Sequence, residues 1–249
     1  MKHTDASPLF KARIAGACWL MTFITSGFAM WVGSKLIVFG NASATATNIL
    51  ANEMLFQSAT AAMLVSGAFY LVVTLLVYEL LKPVNRTVSL LAAFFSLVGC
   101  AVGALGCLFD LAPLVLLRGA GYLSVFTLEE LQALALALLK VRLEANNIGL
   151  VFFGFHCLLI GYLILTSTFL PRMIGWLMML AGLGWLTCLL PPLAESLAPY
   201  NVMPGGLGEI SLTLWLLVKG VNVQRWNAQA SAEAESRMPR VTHLEPIAH

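Results

Sequence analysis

Six stretches of this chain, residues 14–32, 59–81, 88–111, 148–168, 173–190 and 207–221, are strongly apolar, and the first five have about the length of a bilayer's hydrocarbon core. A core of about 30 Å contains no water to satisfy backbone N–H and C=O groups, so each run of about 20 residues is expected to cross as a helix. The sixth run is short for this purpose. Composition agrees: 59% of residues are hydrophobic, 10% are charged, and the mean hydropathy is +0.87, where a soluble domain carries about 25% charge. The expected fold is an all-α integral membrane protein, a six-transmembrane-helix bundle with short amphipathic helices in its outer loops.

Lys2, Lys11 and Arg13 precede the first run, a pattern shared with signal peptides. The run is longer than the usual apolar region of about 7–15 residues, and no small-x-small site closes it, so it reads as a retained helix. Lys82 and Arg86 then fall between the second and third runs, Arg172 between the fourth and fifth, and Lys219 and Arg225 after the sixth. All lie on one side of a six-helix bundle, which under the positive-inside rule places both termini in the cytoplasm. On the other side Lys35, Arg118, Lys140 and Arg142 are offset by Glu53, Glu129, Glu130, Glu144 and Glu195. The net charge of +2 therefore reports topology, and no nucleic-acid partner is expected.

The inner connections are tight. LLKPVNRT and Leu170-Pro171-Arg172 each make an antiparallel hairpin, with Thr87 as the expected cap of the third span. The outer connections are longer, and two helices are expected to lie along the membrane surface there, over residues 43–56 and 128–145. The second opens with TLEE, a capping box of Thr127 and Glu130. On the third span Ser96, Gly99, Gly103, Gly106 and Cys107 form a small-residue stripe. It suits packing within the chain, or a homo-oligomer contact through Gly99 and Gly103. Residues 1–222 make one transmembrane domain. From 223 to 249 the apolar period is lost, and this tail is expected to be disordered.

Several phrases carry a resemblance: SKLIV, ATATNILANE, YELLKPVN, EELQALALALL, GLVFFGFHCLLIGYLI, FLPRMIGWLMMLAGLG and GEISLTLWLLVKGVN. Together, collinear from about Lys11 to Asn222, they resemble the family known as domain of unknown function 4386. The resemblance implies a multi-pass bacterial inner-membrane protein and implies no activity. Two departures stand out. Phe39-Gly40-Asn41 replaces the Pro-Gly-Asp common after SKLIV, and the second histidine of many members is missing from LKVRLEANN.

Ionisable groups within a span are expensive, at about 2.5–3.5 kcal/mol on insertion scales, and so are candidates for function. His156 is expected about 12 Å below the outer boundary. Asp110 ends the third span just before Pro113, Glu209 opens the sixth after NVMPGGLG, and Asn147 joins the outer helix to the fourth span. All four fall toward the outer side and are the candidate ligand-binding residues. Each also has a bland reading: His156 as an interhelical hydrogen-bond donor, Glu209 as a carboxylate favoured by its helix N-terminus, Asp110 as a group reaching outer water. An inward-facing Glu209 would need a partner, and His156 is the only histidine within a span. Such a pair would form a proton-linked or cation-binding site.

No GxSxG, HExxH, phosphate-binding glycine loop or cofactor fingerprint occurs, and the five cysteines, none in a CxxC, read as packing thiols. The preferred expectation is a binding or accessory module with an outer polar pocket for a small or amphiphilic ligand. The alternatives are an intramembrane metal-dependent hydrolase of a lipid, needing His156, Asp110, Glu209 and Cys107 to converge, and a purely structural membrane protein.

Overall fold

The structure is a computed structural model, which describes residues 7–119, 121–198 and 200–237. Among these residues there are nine α-helices and no strand: α1 (Pro8–Leu36), α2 (Ala42–Ala51), α3 (Glu53–Leu81), α4 (Arg86–Leu117), α5 (Leu128–Thr166), α6 (Arg172–Leu186), α7 (Pro191–Leu197), α8 (Val202–Val218) and α9 (Val223–Arg237). Five are long and apolar enough to cross a membrane: α1, α3, α4, α5, and α6 with the 3₁₀ turn that carries it to Leu189. A sixth span exists only if α7 and α8, bent by 80°, count as one. Large apolar side chains such as Leu75, Leu105, Met173 and Trp176 face outward, as a lipid environment requires.

α1 pairs with α3, α4 with α5, and α6 with both α5 and α8. The turns at 81–86 and 167–172 share one end of the bundle with the start of α1 and with α9. There Lys11 and Lys82 both bond Glu79, at 3.1 and 2.7 Å, and the Trp226 indole donates to the Leu80 carbonyl at 2.8 Å. We call this the basic end. Asn85, rather than Thr87, caps α4, its Oδ1 accepting from Val88 N at 3.0 Å.

Polar side chains tie the spans. Thr22 and Ser66 each reach the other's backbone carbonyl between α1 and α3, and the Thr74 and Ser96 hydroxyls meet at 2.6 Å between α3 and α4. Interhelical bonds of this kind contribute about 0.6 kcal/mol on average and at most about 1.7. Thr74→Val is accordingly expected to lower the unfolding free energy by about that much, measured by denaturing-detergent titration followed by circular dichroism.

Three expectations are corrected. The helix at 128–145 does not lie apart on the membrane surface but continues into the fourth span as the single 39-residue α5. No Pro or Gly interrupts the Asn146-Asn147 junction, and Asn147 bonds Glu144 one turn back at 3.4 Å. The apolar face of the extension packs inward: Leu139 joins Val32, Leu36, Ile49, Phe56 and Leu114 in a second core at the end away from the basic one. α2 contributes Ile49 to that core and ends at Ala51, so it too is packed on the bundle, and Asn52 separates it from α3. Pro113 does not end α4, which runs on to Leu117 with Pro113 buried.

The segment from 223, expected to be disordered, begins with the helix α9. Gly220, at φ 69°, closes α8 in a conformation that only glycine adopts without strain and turns the chain sideways. Asn222 Oδ1 then caps Arg225 N at 3.1 Å, and the Trp226 bond anchors the helix. Residues 238–249 of that tail lie outside the described residues. The small-residue stripe of α4 is used within the chain where Gly99 meets Phe153 and Gly106 meets Arg142, whereas Gly103 faces nothing within 4 Å of an added Cβ.

Candidate functional site

His156 and Glu209 both lie near the middle of the bundle. His156 is ten residues, about 15 Å, from the Thr166 end of α5 and is 1% exposed. Its Nδ1 lies 2.8 Å from the Ala92 carbonyl of α4. A carbonyl cannot donate, so Nδ1 carries the proton, and in the neutral ring Nε2 is left as an acceptor. Nε2 is buried and has no hydrogen-bond partner.

Glu209 is not in the first turn of its helix. α8 begins at Val202, seven residues earlier, because Pro204 falls in the first turn, where its missing N–H is one that no helix bonds internally. The glycines that follow do not interrupt the chain; they let helices meet. A Cβ on Gly208 would stand 2.6 Å from the Leu177 carbonyl of α6. Glu209 is thus 8% exposed in mid-helix, where the helix dipole no longer accounts for it.

The side chains gathered on Glu209 come from other helices. Trp185 of α6 donates its indole N–H to Glu209 Oε1 at 3.0 Å, and the Cys157 thiol of α5 approaches the same oxygen at 3.8 Å. The Trp19 ring of α1 is fully buried and within interaction range of this carboxylate, but its Nε1 completes no hydrogen bond. Tyr70 of α3 adjoins both Trp19 and His156, its ring centroid 5.7 Å from the first and 6.2 Å from the second, edge-on in both cases. Its hydroxyl is buried and without a partner.

The result is one polar layer across the apolar core. It contains a carboxylate with two neighbouring donors, two further donors without acceptors on Trp19 and Tyr70, and an acceptor without a donor on His156. More than nine-tenths of buried polar groups in proteins are satisfied, so three unsatisfied ones on rings that touch in series set this layer apart.

Asp110 and Asn147 do not join it. Asp110 is about 27 Å along α4 from Ala92, the residue that His156 bonds, and its Oδ2 accepts from Arg142 Nε at 3.0 Å. Neither side chain of that pair is more than 16% exposed, so Asp110 is held by an ion pair and not by outer water. Asn147 is about 13 Å up α5 from His156. Among the described residues no three His, Cys, Asp or Glu side chains gather as a metal-ligand set.

Trp19, Tyr70 and Trp185 escaped the sequence reading because an aromatic ring in an apolar run has the look of core or lipid-facing residue. The available signal was that a buried indole N–H or phenol usually needs a partner. Cys157 was read only as a packing thiol.

The family model described as "Domain of unknown function (DUF4386)" matches residues 14–220. An uncharacterised protein of the archaeon Archaeoglobus fulgidus is 27% identical over 151 residues, covering 59% of this chain and 75% of its own length. No solved structure matches.

Proposed function

This chain belongs to the family of domain of unknown function DUF4386, and on that premise we propose that it is a membrane-embedded binding module whose mid-bundle polar layer takes a small or amphiphilic ligand. The observation that carries the reading is the trio of buried, unpartnered polar atoms, Trp19 Nε1, Tyr70 Oη and His156 Nε2, ranged beside the Glu209 carboxylate. A ligand with two donors and several acceptors, such as a diol head group, matches this set, with Glu209 and His156 accepting and the indole and phenol donating. The preferred site thus lies at mid-depth, with Glu209, His156 and Tyr70 in place of Asp110 and Asn147. The proposed setting is a bacterial cytoplasmic membrane with both termini inside, supported by the gathering of Lys11, Arg13, Lys82, Arg86, Arg172 and Lys219 at one end.

A metal-dependent lipid hydrolase has less support, since its required quartet is divided between the C-terminal part of α4, which holds Cys107 and Asp110, and the central layer, which holds His156 and Glu209. A purely structural role has one observation in its favour: the His156 to Ala92 bond already fastens α4 to α5.

Native mass spectrometry of the protein extracted from its membrane in mild detergent tests the proposal. The wild type is expected to retain a small-molecule adduct that Glu209→Gln and His156→Leu each lose. The two stability losses should also be non-additive, by about 0.5 kcal/mol or more, as for residues sharing one network. No adduct on the wild type, together with strictly additive losses, would leave the structural role in its place.

A further inference from the structure

The basic end carries a second site of a different kind. An open groove of about 510 Å³ lies between the turn joining α5 to α6 and the tail helix α9, lined by Ser167, Thr168, Leu170, Arg172 and Arg225. Its lining contains two guanidinium groups and no carboxylate.

Arg225 is not a free surface side chain that happens to pass by. α9 is fastened by the Trp226 bond to Leu80 and by Gln229 Oε1, which accepts from both the N–H and the hydroxyl of Thr168, at 3.1 and 3.0 Å. Asn222 N bonds the Phe169 carbonyl at 3.3 Å. This fastening presents Arg225 on the groove opposite the first residue of α6, with one guanidinium nitrogen on the Thr168 carbonyl at 3.3 Å. Arg172 has no hydrogen-bond or ion-pair partner among the described residues. The N-terminus of the 15-residue α6 has no side-chain cap, because Pro171 occupies the cap position. Two like charges and the start of an uncapped helix therefore border one groove whose described lining holds no carboxylate. Glu79, in contrast, offsets Lys11 and Lys82 nearby.

We propose that this groove binds a phosphate group, with Arg172 and Arg225 as its two guanidinium ligands and the first N–H groups of α6 completing the cradle. Guanidinium forks match phosphate oxygens in pairs, and helix N-termini favour anions. The Ser167 and Thr168 hydroxyls already donate, to the Ile164 carbonyl and to Gln229, and serve to shape the groove. The phosphate comes either from the headgroup of an anionic phospholipid in the leaflet at this end or from a soluble phosphate ester.

The test uses the full chain in an uncharged detergent, titrated with short-chain phosphatidylglycerol, with diacylglycerol of the same chains, and with inorganic phosphate, following tryptophan fluorescence. The phosphatidylglycerol is expected to bind at least tenfold tighter than the diacylglycerol. Arg172→Gln with Arg225→Gln abolishes that difference while leaving the thermal midpoint within a few degrees. A control pair, Arg13→Gln with Lys219→Gln, removes two charges from the same end outside the groove and keeps the difference. Displacement of the lipid by millimolar phosphate assigns the site to phosphate as such, and its absence assigns it to the lipid headgroup. An equal loss in the control pair would mean diffuse surface potential and overturns the proposal, as does a groove variant that binds like the wild type.

Discussion

Gly161→Leu is expected to force α5 and α6 apart and to lower the unfolding free energy by about 3 kcal/mol or more, at the top of the range for overpacked sites. A Cβ at Gly161 would stand 2.6 Å from Met179 Cγ, 2.8 Å from the Gly175 carbonyl and 2.9 Å from Met179 N. Two of those three atoms are backbone and cannot rotate away. Seven residues earlier on α5, Gly154 faces Leu186 and the Gly182 carbonyl, and a Cβ on Gly182 would meet the Gly154 carbonyl at 2.7 Å. The α5–α6 pair is therefore a contact of backbone on backbone, built from two glycines per helix at a spacing of seven. Without a hydrophobic force between helices in lipid, such close approach is a main source of association. Cys157 lies between the two α5 glycines and is 0% exposed. Its reaction with a maleimide should be slow in the wild type and fast in Gly161→Leu. Gly103→Ala is the matched control, since nothing lies within 4 Å of its Cβ; it should be neutral or slightly stabilising. Equal maleimide rates in Gly161→Leu and the wild type would refute this account of the interface.

Arg142→Met is expected to cost about 3 kcal/mol, and adding Asp110→Leu should recover most of it. The Asp110–Arg142 pair is largely buried, with side chains 16% and 12% exposed. Removing one member of such a pair leaves an uncompensated charge and typically costs about 3–5 kcal/mol, while replacing both by apolar groups of similar size is often neutral. Methionine keeps the stem that passes Gly106, where Arg142 Cδ would lie 3.3 Å from a Cβ, so the loss reports on charge more than on packing. Denaturing-detergent unfolding of the two singles and the double measures the coupling. A double variant no more stable than Arg142→Met would show that Asp110 does not depend on this arginine.

How far the sequence could be read differs by kind of feature. The spans were legible because apolar runs of bilayer length leave the backbone no alternative to helix, and α1, α3 and α4 cover the first three of the expected segments. The capping box of Thr127 and Glu130 was also legible, because its partners are three residues apart, and both of its bonds are present. Where α5 should start and where Glu209 sits in α8 were misjudged for a shared reason. Asn146-Asn147 and Pro204-Gly205-Gly206 look like breaks, but packing neighbours decide whether such residues interrupt a helix, and here the neighbours favour its continuation. α9 was missed because a polar segment does not announce the one tryptophan that docks it.

Taken alone, the sequence determined that this is a membrane-embedded all-helical chain, with a basic end and few polar groups in its spans. These properties are sums over local stretches, set by transfer energies and backbone satisfaction residue by residue. The tertiary structure alone decided which polar groups meet: His156 with Ala92, Glu209 with Trp185 and Cys157, Asp110 with Arg142 and not with the central layer. It also built a second close contact, through Gly154, Gly161, Gly175 and Gly182, beside the more conspicuous stripe on α4 that packs on α5 at Gly99 and Gly106. Contacts between helices depend on rotation and depth set by packing across the whole bundle, and a hydropathy pattern read along one helix carries neither coordinate.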